Sequence, residues 1–224
     1  MKELEPAVRP VILRPGRSLV ELARQAVPGD EGSARSVTGM DPEVRLDFIV
    51  GRDLLTRSSA ADREAVARFL LALLAPGGTL SLAQTVPGLG QRLSVLADGL
   101  PPRLAQGVAA AEETVYADAS SDLVGWRPDD LAAAFRQAGA REAAVEVQSF
   151  TDPRRFTERE LDAWLAPASS YGRALADGLS PREISQLKET FQKQLVGRET
   201  PWRRTVAFLI ARKGGGRIGQ RDRE

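Results

Sequence analysis

The chain has 224 residues, enough for one ordinary core, and its 31 lysines and arginines against 30 aspartates and glutamates exclude any overall electrostatic pull toward nucleic acid or an anionic membrane. It has no cysteine and no histidine, which excludes disulfides, zinc sites of the Cys/His kind, thiolate nucleophiles and imidazole bases. The charged start Met1-Lys2-Glu3-Leu4-Glu5-Pro6 lacks the apolar centre of a secretory signal and no later apolar run reaches membrane-spanning length, so a cytoplasmic address is expected.

Pro10-Val11-Ile12-Leu13 reads as a short strand closed by Arg14-Pro15-Gly16, after which Ser18 caps a helix with Leu19, Leu22 and Ala23 on one face. From Val27 to Pro42 the apolar period gives way to Pro, Gly, Asp and Ser, which reads as an exposed loop. Arg45-Leu46-Asp47-Phe48-Ile49-Val50-Gly51 has the near-continuous apolar character of a parallel strand covered on both faces. Ser58 and Ser59 offer a cap. Val66, Phe69, Leu70, Leu73 and Leu74 then recur at helical spacing until Pro76-Gly77-Gly78, and Thr79 to Gln84 alternates as a strand, which completes a βαβ unit.

Between Gly88 and Trp126 the spacing predicts two helices and a loop, one carrying Leu93 and Leu96 and one carrying Leu104, Val108, Ala111 and Val115. Pro128, Asp129 and Asp130 start a further helix that Gly139 ends. Ala143 to Phe150 alternates as a strand with one wet face. Thr157 with Glu160, and Ser180 with Glu183, are capping boxes, each starting a helix. Ile184, Leu187, Phe191 and Leu195 form a stripe ending at Gly197, and Trp202 to Arg212 supplies the last strand. The glycine-rich, charged tail from Lys213 is expected to be disordered.

In this order, Leu46-Asp47-Phe48-Ile49-Val50-Gly51-Arg52 and Leu74-Ala75-Pro76-Gly77-Gly78-Thr79-Leu80-Ser81-Leu82 resemble the fourth and fifth strands of class I S-adenosylmethionine-dependent methyltransferases. The Pro-Gly-Gly turn has a physical reason, because the helix must stop and reverse within a few residues for the next strand to enter the sheet. A more particular resemblance is to the methyltransferase-like extension at the C-terminus of some bacterial RarA-type replication-associated AAA+ ATPases. It rests on Ile49-Val50-Gly51-Arg52-Asp53-Leu54-Leu55-Thr56-Arg57, Ala111-Glu112-Glu113-Thr114-Val115-Tyr116 and Trp126-Arg127-Pro128-Asp129-Asp130-Leu131; no ATPase motif is present. The resemblance implies an α/β fold with a partial Rossmann-like sheet, mostly parallel, an antiparallel C-terminal hairpin and a helical insertion over 156–197, in one domain spanning 1–212 before a tail at 213–224.

The resemblance also implies S-adenosylmethionine as cofactor, with Gly51, Arg52 and Asp53 as the cofactor-binding residues at the end of the fourth strand, where open α/β sheets meet their ligands. The competing reading of Arg52 and Asp53 is a surface pair at the start of the next helix. The glycine-rich turn of the family's first strand and the ribose-binding acid of its second do not appear in the sequence, so the chain is expected to begin partway into the family's domain.

Other candidates have bland alternatives. Glu112, Glu113 and Tyr116 lie one helical turn apart and suit acid-base work, or a solvated helix face. Arg154-Arg155 and Arg203-Arg204 beside Trp202 suit phosphate holding and base stacking, or a solvated strand edge. Gly88-Leu89-Gly90 and Gly214 to Gly219 lack the partners of phosphate loops and read as ordinary loops. Trp164, Phe191 and Leu195 are spaced as core residues of the insertion. Two functions remain: an interaction or regulatory module without full donor binding, its open sheet edge beside Phe48 to Val50 taking either the strand at Val11 to Leu13 or another chain, a protein partner or a second copy, with a link to a replication-associated ATPase; or a methyltransferase, whose transfer needs proximity rather than an acid or base.

Overall fold

The computed structural model describes residues 19–26, 30, 45–55, 58–96 and 98–215. The strand expected at Pro10 to Leu13, the Ser18 cap, nearly all of the loop from Val27 to Pro42 and the tail beyond Gly215 lie outside the described residues. The elements in chain order are α1 (Leu19–Gln25), β1 (Leu46–Arg52), α2 (Ala60–Leu73), β2 (Leu74–Thr85), α3 (Pro102–Ala117), α4 (Pro128–Gln137), β3 (Ala140–Arg155), α5 (Glu158–Leu165), α6 (Ser170–Gly178), α7 (Pro181–Leu195) and β4 (Glu199–Lys213).

The four strands form one open sheet in the order β1-β2-β4-β3. β1 pairs parallel with β2, and β4 runs antiparallel to both β2 and β3, so three of the four strands share a direction. The architecture is α/β with mostly parallel strands and an antiparallel C-terminal hairpin. Helices α5, α6 and α7 are inserted at the far end of that hairpin, which a bridge between Phe156 and Val196 closes.

The β1–β2 crossover follows from local chemistry. The Ser59 hydroxyl accepts the Asp62 N–H at 3.1 Å and starts α2. The helix ends at Leu73, and Leu74 is already extended, so the Pro-Gly-Gly run opens β2 rather than stopping the helix. Gly77 has φ +79°, which favours glycine. A Cβ on Gly78 would lie 2.9 Å from the Ala75 oxygen and 3.0 Å from that of Leu46. The turn therefore needs its first glycine for conformation and its second for close approach to β1.

Val66, Phe69, Leu70 and Leu73 of α2 are buried with Leu80 and Leu82 of β2, Leu131 and Phe135 of α4, and Leu209 and Ala211 of β4; Ala23 of α1 joins them. These helices lie on one face of the sheet. The β1 side chains of the other face depart from the expectation of double coverage: Phe48 is 73% and Val50 82% exposed. Across the sheet Val50 is in register with Ser81, and Ser81 with Ile210, which is also exposed. No described helix packs on this apolar row. β1 carries the composition of an interior strand and is bare on one face among the described residues.

A second core joins α3 to the inserted helices through Leu104, Val108, Leu161, Leu175, Leu187, Phe191 and Leu195. Both capping boxes form, with Thr157 and Glu160 opening α5 and Ser180 and Glu183 opening α7. The helix α6 between them, capped by Ser169, is an addition to the elements read from sequence. The helix expected around Leu93 and Leu96 is instead a single 3-10 turn over Ser94–Leu96. A carboxylate from α3 takes the N–H groups that further helix would otherwise have to satisfy.

Candidate functional site

The C-terminal ends of β1 and β2 lie side by side, with Arg52 opposite Ala83. The residues nominated from sequence, Gly51, Arg52 and Asp53, are placed here, and each has local work. Asp53 adopts φ +52°, its N–H donates to the Ala83 carbonyl at 2.9 Å, and its carboxylate accepts the Thr85 N–H at 2.8 Å. Arg52 Nε lies 3.4 Å from the other Asp53 oxygen, on the exposed surface. Buried Gln84 accepts the Leu55 N–H at 3.0 Å, tying the loop after β1 to β2 once more.

A donor bound at this turn would need backbone room beside Gly51 and an acceptor directed outward. A Cβ on Gly51 would fall 2.4 Å from Leu54 Cδ1 and 2.8 Å from Leu82 Cδ2, so leucine side chains fill the space the glycine leaves. The Asp53 carboxylate is turned to the β2 backbone. Arg52 and Asp53 thus form a strand-end clasp between β1 and β2, with Gly51 packed against Leu54 and Leu82.

Beyond β2 the chain passes through a 3-10 turn at Pro87–Leu89 to a polar cluster against α3. Glu112 is 2% exposed, and its Oε1 accepts the Leu93 N–H at 2.7 Å. Its Oε2 accepts the Ser94 N–H at 3.1 Å and also the Ser94 hydroxyl. The adjacent Glu113 faces out, its side chain 71% exposed, and meets Arg92 at 3.3 Å. The two carboxylates suggested for acid-base work thus point in different directions, and the inner one is saturated as an acceptor. Arg92 stacks 3.5 Å above the Tyr116 ring and donates to the Gly90 carbonyl at 3.1 Å.

Burial pushes the Tyr116 phenol above its ordinary range, with Arg92 opposing and Glu112 and Glu113 reinforcing the shift. Tyr171 of α6 is pushed further up by burial and by Glu112. Its hydroxyl is buried and has no hydrogen-bond partner of good geometry among the described residues. Arg92, Ser94 and Tyr171 escaped the sequence reading because they reach Glu112 or Tyr116 only after the helices pack, and no motif marks them.

The basic pairs beside Trp202 are also brought into contact with other groups. Arg155 pairs with Glu199 at 3.3 Å, and Arg204 pairs with Asp152 while lying 5.3 Å from the Phe150 ring centroid. Arg154 lies among Phe156, Trp164 and Trp202. Gly88-Leu89-Gly90 is a plain turn. No group of three or more acidic side chains suited to a metal ion occurs among the described residues, and none of their helices is long and apolar enough to cross a membrane.

No protein-family model matches the chain, and no curated protein matches it in sequence. Among solved structures it is similar to a Bacillus halodurans protein assigned as a methyltransferase, at 16% identity and a TM-score of 0.34 over 76% of this chain and 65% of that one. It is also similar to the Bacillus subtilis YcgJ protein, at 13% identity and a TM-score of 0.35 over 77% and 66%. A third is phosphoethanolamine N-methyltransferase 2 of Haemonchus contortus, at 13% identity and a TM-score of 0.32 over 75% and 33%. The chain thus spans between a third and two thirds of the length of these three structures. Likeness at such scores carries no weight for activity.

Proposed function

We propose that this chain is a methyltransferase-like α/β module that works by holding a protein partner, without full binding of a methyl donor. The observation that carries this reading is the exposure of Phe48 and Val50, at 73% and 82%, on a strand whose sequence is that of a sheet interior. Among the described residues β1 pairs on one side with β2, and its other backbone edge and one apolar face have no neighbour. Unpaired N–H and C=O groups beside exposed apolar side chains template the addition of another strand. The occupant is a partner polypeptide that pairs with β1 and lays an apolar surface over Phe48 and Val50. The resemblance to the extension of RarA-type ATPases makes such an ATPase the first partner to test.

Two titrations test the reading. Calorimetry with S-adenosylmethionine is expected to give no binding heat, and micromolar affinity would overturn the donor-free part. Mixing with the ATPase is expected to give a complex that Val50→Lys abolishes, and a complex indifferent to that substitution would remove β1 as the surface.

One observation favours a second reading, S-adenosylmethionine-dependent transfer to an acceptor. Asp53, a non-glycine residue at positive φ, stands with Gly51 and Arg52 at the strand end where ligands of open sheets bind, and strained backbone gathers at functional sites. The same calorimetry decides between the two.

A further inference from the structure

Phe156 at the end of β3, Trp164 on α5 and Trp202 on β4 form three walls. Their ring centroids are 6.0 Å (Phe156 to Trp164), 5.4 Å (Phe156 to Trp202) and 6.3 Å (Trp164 to Trp202) apart, with rings inclined by 79°, 75° and 49°. The Arg154 guanidinium lies over all three, 4.6 Å from the Phe156 centroid, 5.3 Å from Trp164 and 5.0 Å from Trp202, so one cation is shared by three π-systems. Alternation along β3 puts Arg154 and Phe156 on the same side of the strand, and the hairpin brings Trp202 across from β4.

Two of the chain's three tryptophans are spent here, and both are half-buried while Phe156 is 1% exposed. The box therefore has a dry floor and a wet mouth. Its occupant is lightly held. Arg154 keeps 31% of its side chain exposed and reaches a single carboxylate oxygen, Glu160 Oε1, at 3.4 Å. The other oxygen of Glu160 is engaged by the N–H and hydroxyl of Thr157 at 2.9 and 3.0 Å. The other stacked arginines among the described residues differ, since Arg63, Arg92 and Arg204 each lie over one ring.

We propose that Phe156, Trp164 and Trp202 form a binding cage for a methylated ammonium group, with Arg154 as a tethered plug that the ligand displaces. Three π-faces and one carboxylate at the rim are poor in acceptors. They suit a bulky, weakly hydrated cation with no N–H to satisfy, and they do not suit a hard metal ion, which takes oxygen ligands. The group can belong to a free quaternary ammonium compound or to a trimethylated lysine on a protein. Arg154 swings out through the mouth it already faces.

The test follows tryptophan fluorescence while tetramethylammonium chloride is added to the full chain. Trp126 is buried in a separate cluster and contributes a constant background. Arg154→Ala is expected to bind saturably and at least tenfold more tightly than the unaltered chain, and adding Trp202→Ala is expected to abolish the signal. Arg154→Gln removes the competing cation, keeps a polar side chain on β3 and leaves the Glu160 carboxylate at the rim, and is expected to tighten binding several-fold; it decides the matter should Arg154→Ala not fold. Absence of a saturable change in a folded Arg154→Ala or Arg154→Gln variant would overturn the proposal, as would equal binding of ammonium chloride. Choline and a trimethyllysine peptide, with its unmethylated form as control, distinguish the source: tighter choline points to a small molecule, tighter peptide to a protein.

Discussion

The Asp53 carboxylate accepts the Thr85 N–H at 2.8 Å, so the residue that follows β1 is clasped to the last residue of β2. Asp53 also holds φ +52°, which is unfavourable for any side chain. Asp53→Ala loses the bond and keeps the backbone cost, and is expected to destabilise by about 1–3 kcal/mol. Asp53→Gly loses the same bond but relaxes the backbone, so its loss is expected to be smaller. Urea denaturation of both variants checks this: a glycine variant less stable than the alanine one would contradict the backbone cost, and two variants as stable as the unaltered chain would contradict the clasp.

The two turn glycines separate conformation from space. Gly77→Ala meets no atom within 4 Å but must adopt φ +79°, at about 1–2 kcal/mol. Gly78→Ala pushes a methyl against the carbonyls of Ala75, Leu46 and Asp47 and is expected to cost more, about 2–3 kcal/mol, because backbone atoms cannot step aside as a side chain can. Thermal melts of the two variants report the difference.

Glu112 accepts two backbone N–H groups and a hydroxyl from Leu93 and Ser94. Removing it leaves buried donors unmet, so Glu112→Ala is expected to destabilise by about 3 kcal/mol, and Glu112→Gln, which retains one acceptor oxygen, by about half as much. Equal losses in the two variants would show that the carboxylate acts through packing alone.

The chain has two tyrosines, Tyr116 and Tyr171, and burial raises both above the ordinary value of 10.0. A phenol whose folded pKa is raised contributes stability in full below its unfolded pKa. That stability is lost as pH rises past about 10, because only the unfolded state releases the proton there. Tyrosinate absorbance is therefore expected to lag the ordinary titration and to rise together with the loss of circular dichroism. At the acid end the sign reverses. The Thr157 N–H is the largest influence holding Glu160 below its ordinary value. Burial pushes Asp62 up, but hydrogen bonds from Arg24 and Ser59 outweigh it. Their stabilisation is present above the unfolded carboxylate range of about 4 and is lost as pH falls below it. With no histidine, stability is expected to be flat between about pH 5 and 8.

Phe48 and Val50 gain little from the described structure. Phe48→Lys with Val50→Lys is expected to leave unfolding free energy within about 0.5 kcal/mol per site while abolishing partner binding. A large loss of stability would show that these side chains are covered within the chain itself.

Much of the fold was legible because its signals are local. Ser59, Thr157 and Ser180 cap helices through atoms three residues away, Gly139 and Gly197 take positive φ just after helices, and the stripe Leu187, Phe191, Leu195 is buried as its spacing predicts. The turn at Leu93 to Leu96 misled because leucines three apart suit a helix and a 3-10 turn alike, and Glu112, distant in sequence, chose the turn. Helix α6 was missed because Gly172 and Gly178 break the sequence pattern. In the fold Gly172 fits where a Cβ would lie 2.0 Å from the Ala166 oxygen.

The amino-acid order alone determined the parallel pair β1 and β2, the helix joining them, the glycines at the start of β2 and the C-terminal hairpin, because each depends on residue periodicity and short-range sterics. Only the tertiary structure decided that β4 lies between β2 and β3, that Glu112 faces inward while Glu113 faces out, and that Arg154 lies over three rings. Those outcomes depend on contacts between groups tens of residues apart, which exist only once the helices and strands have packed.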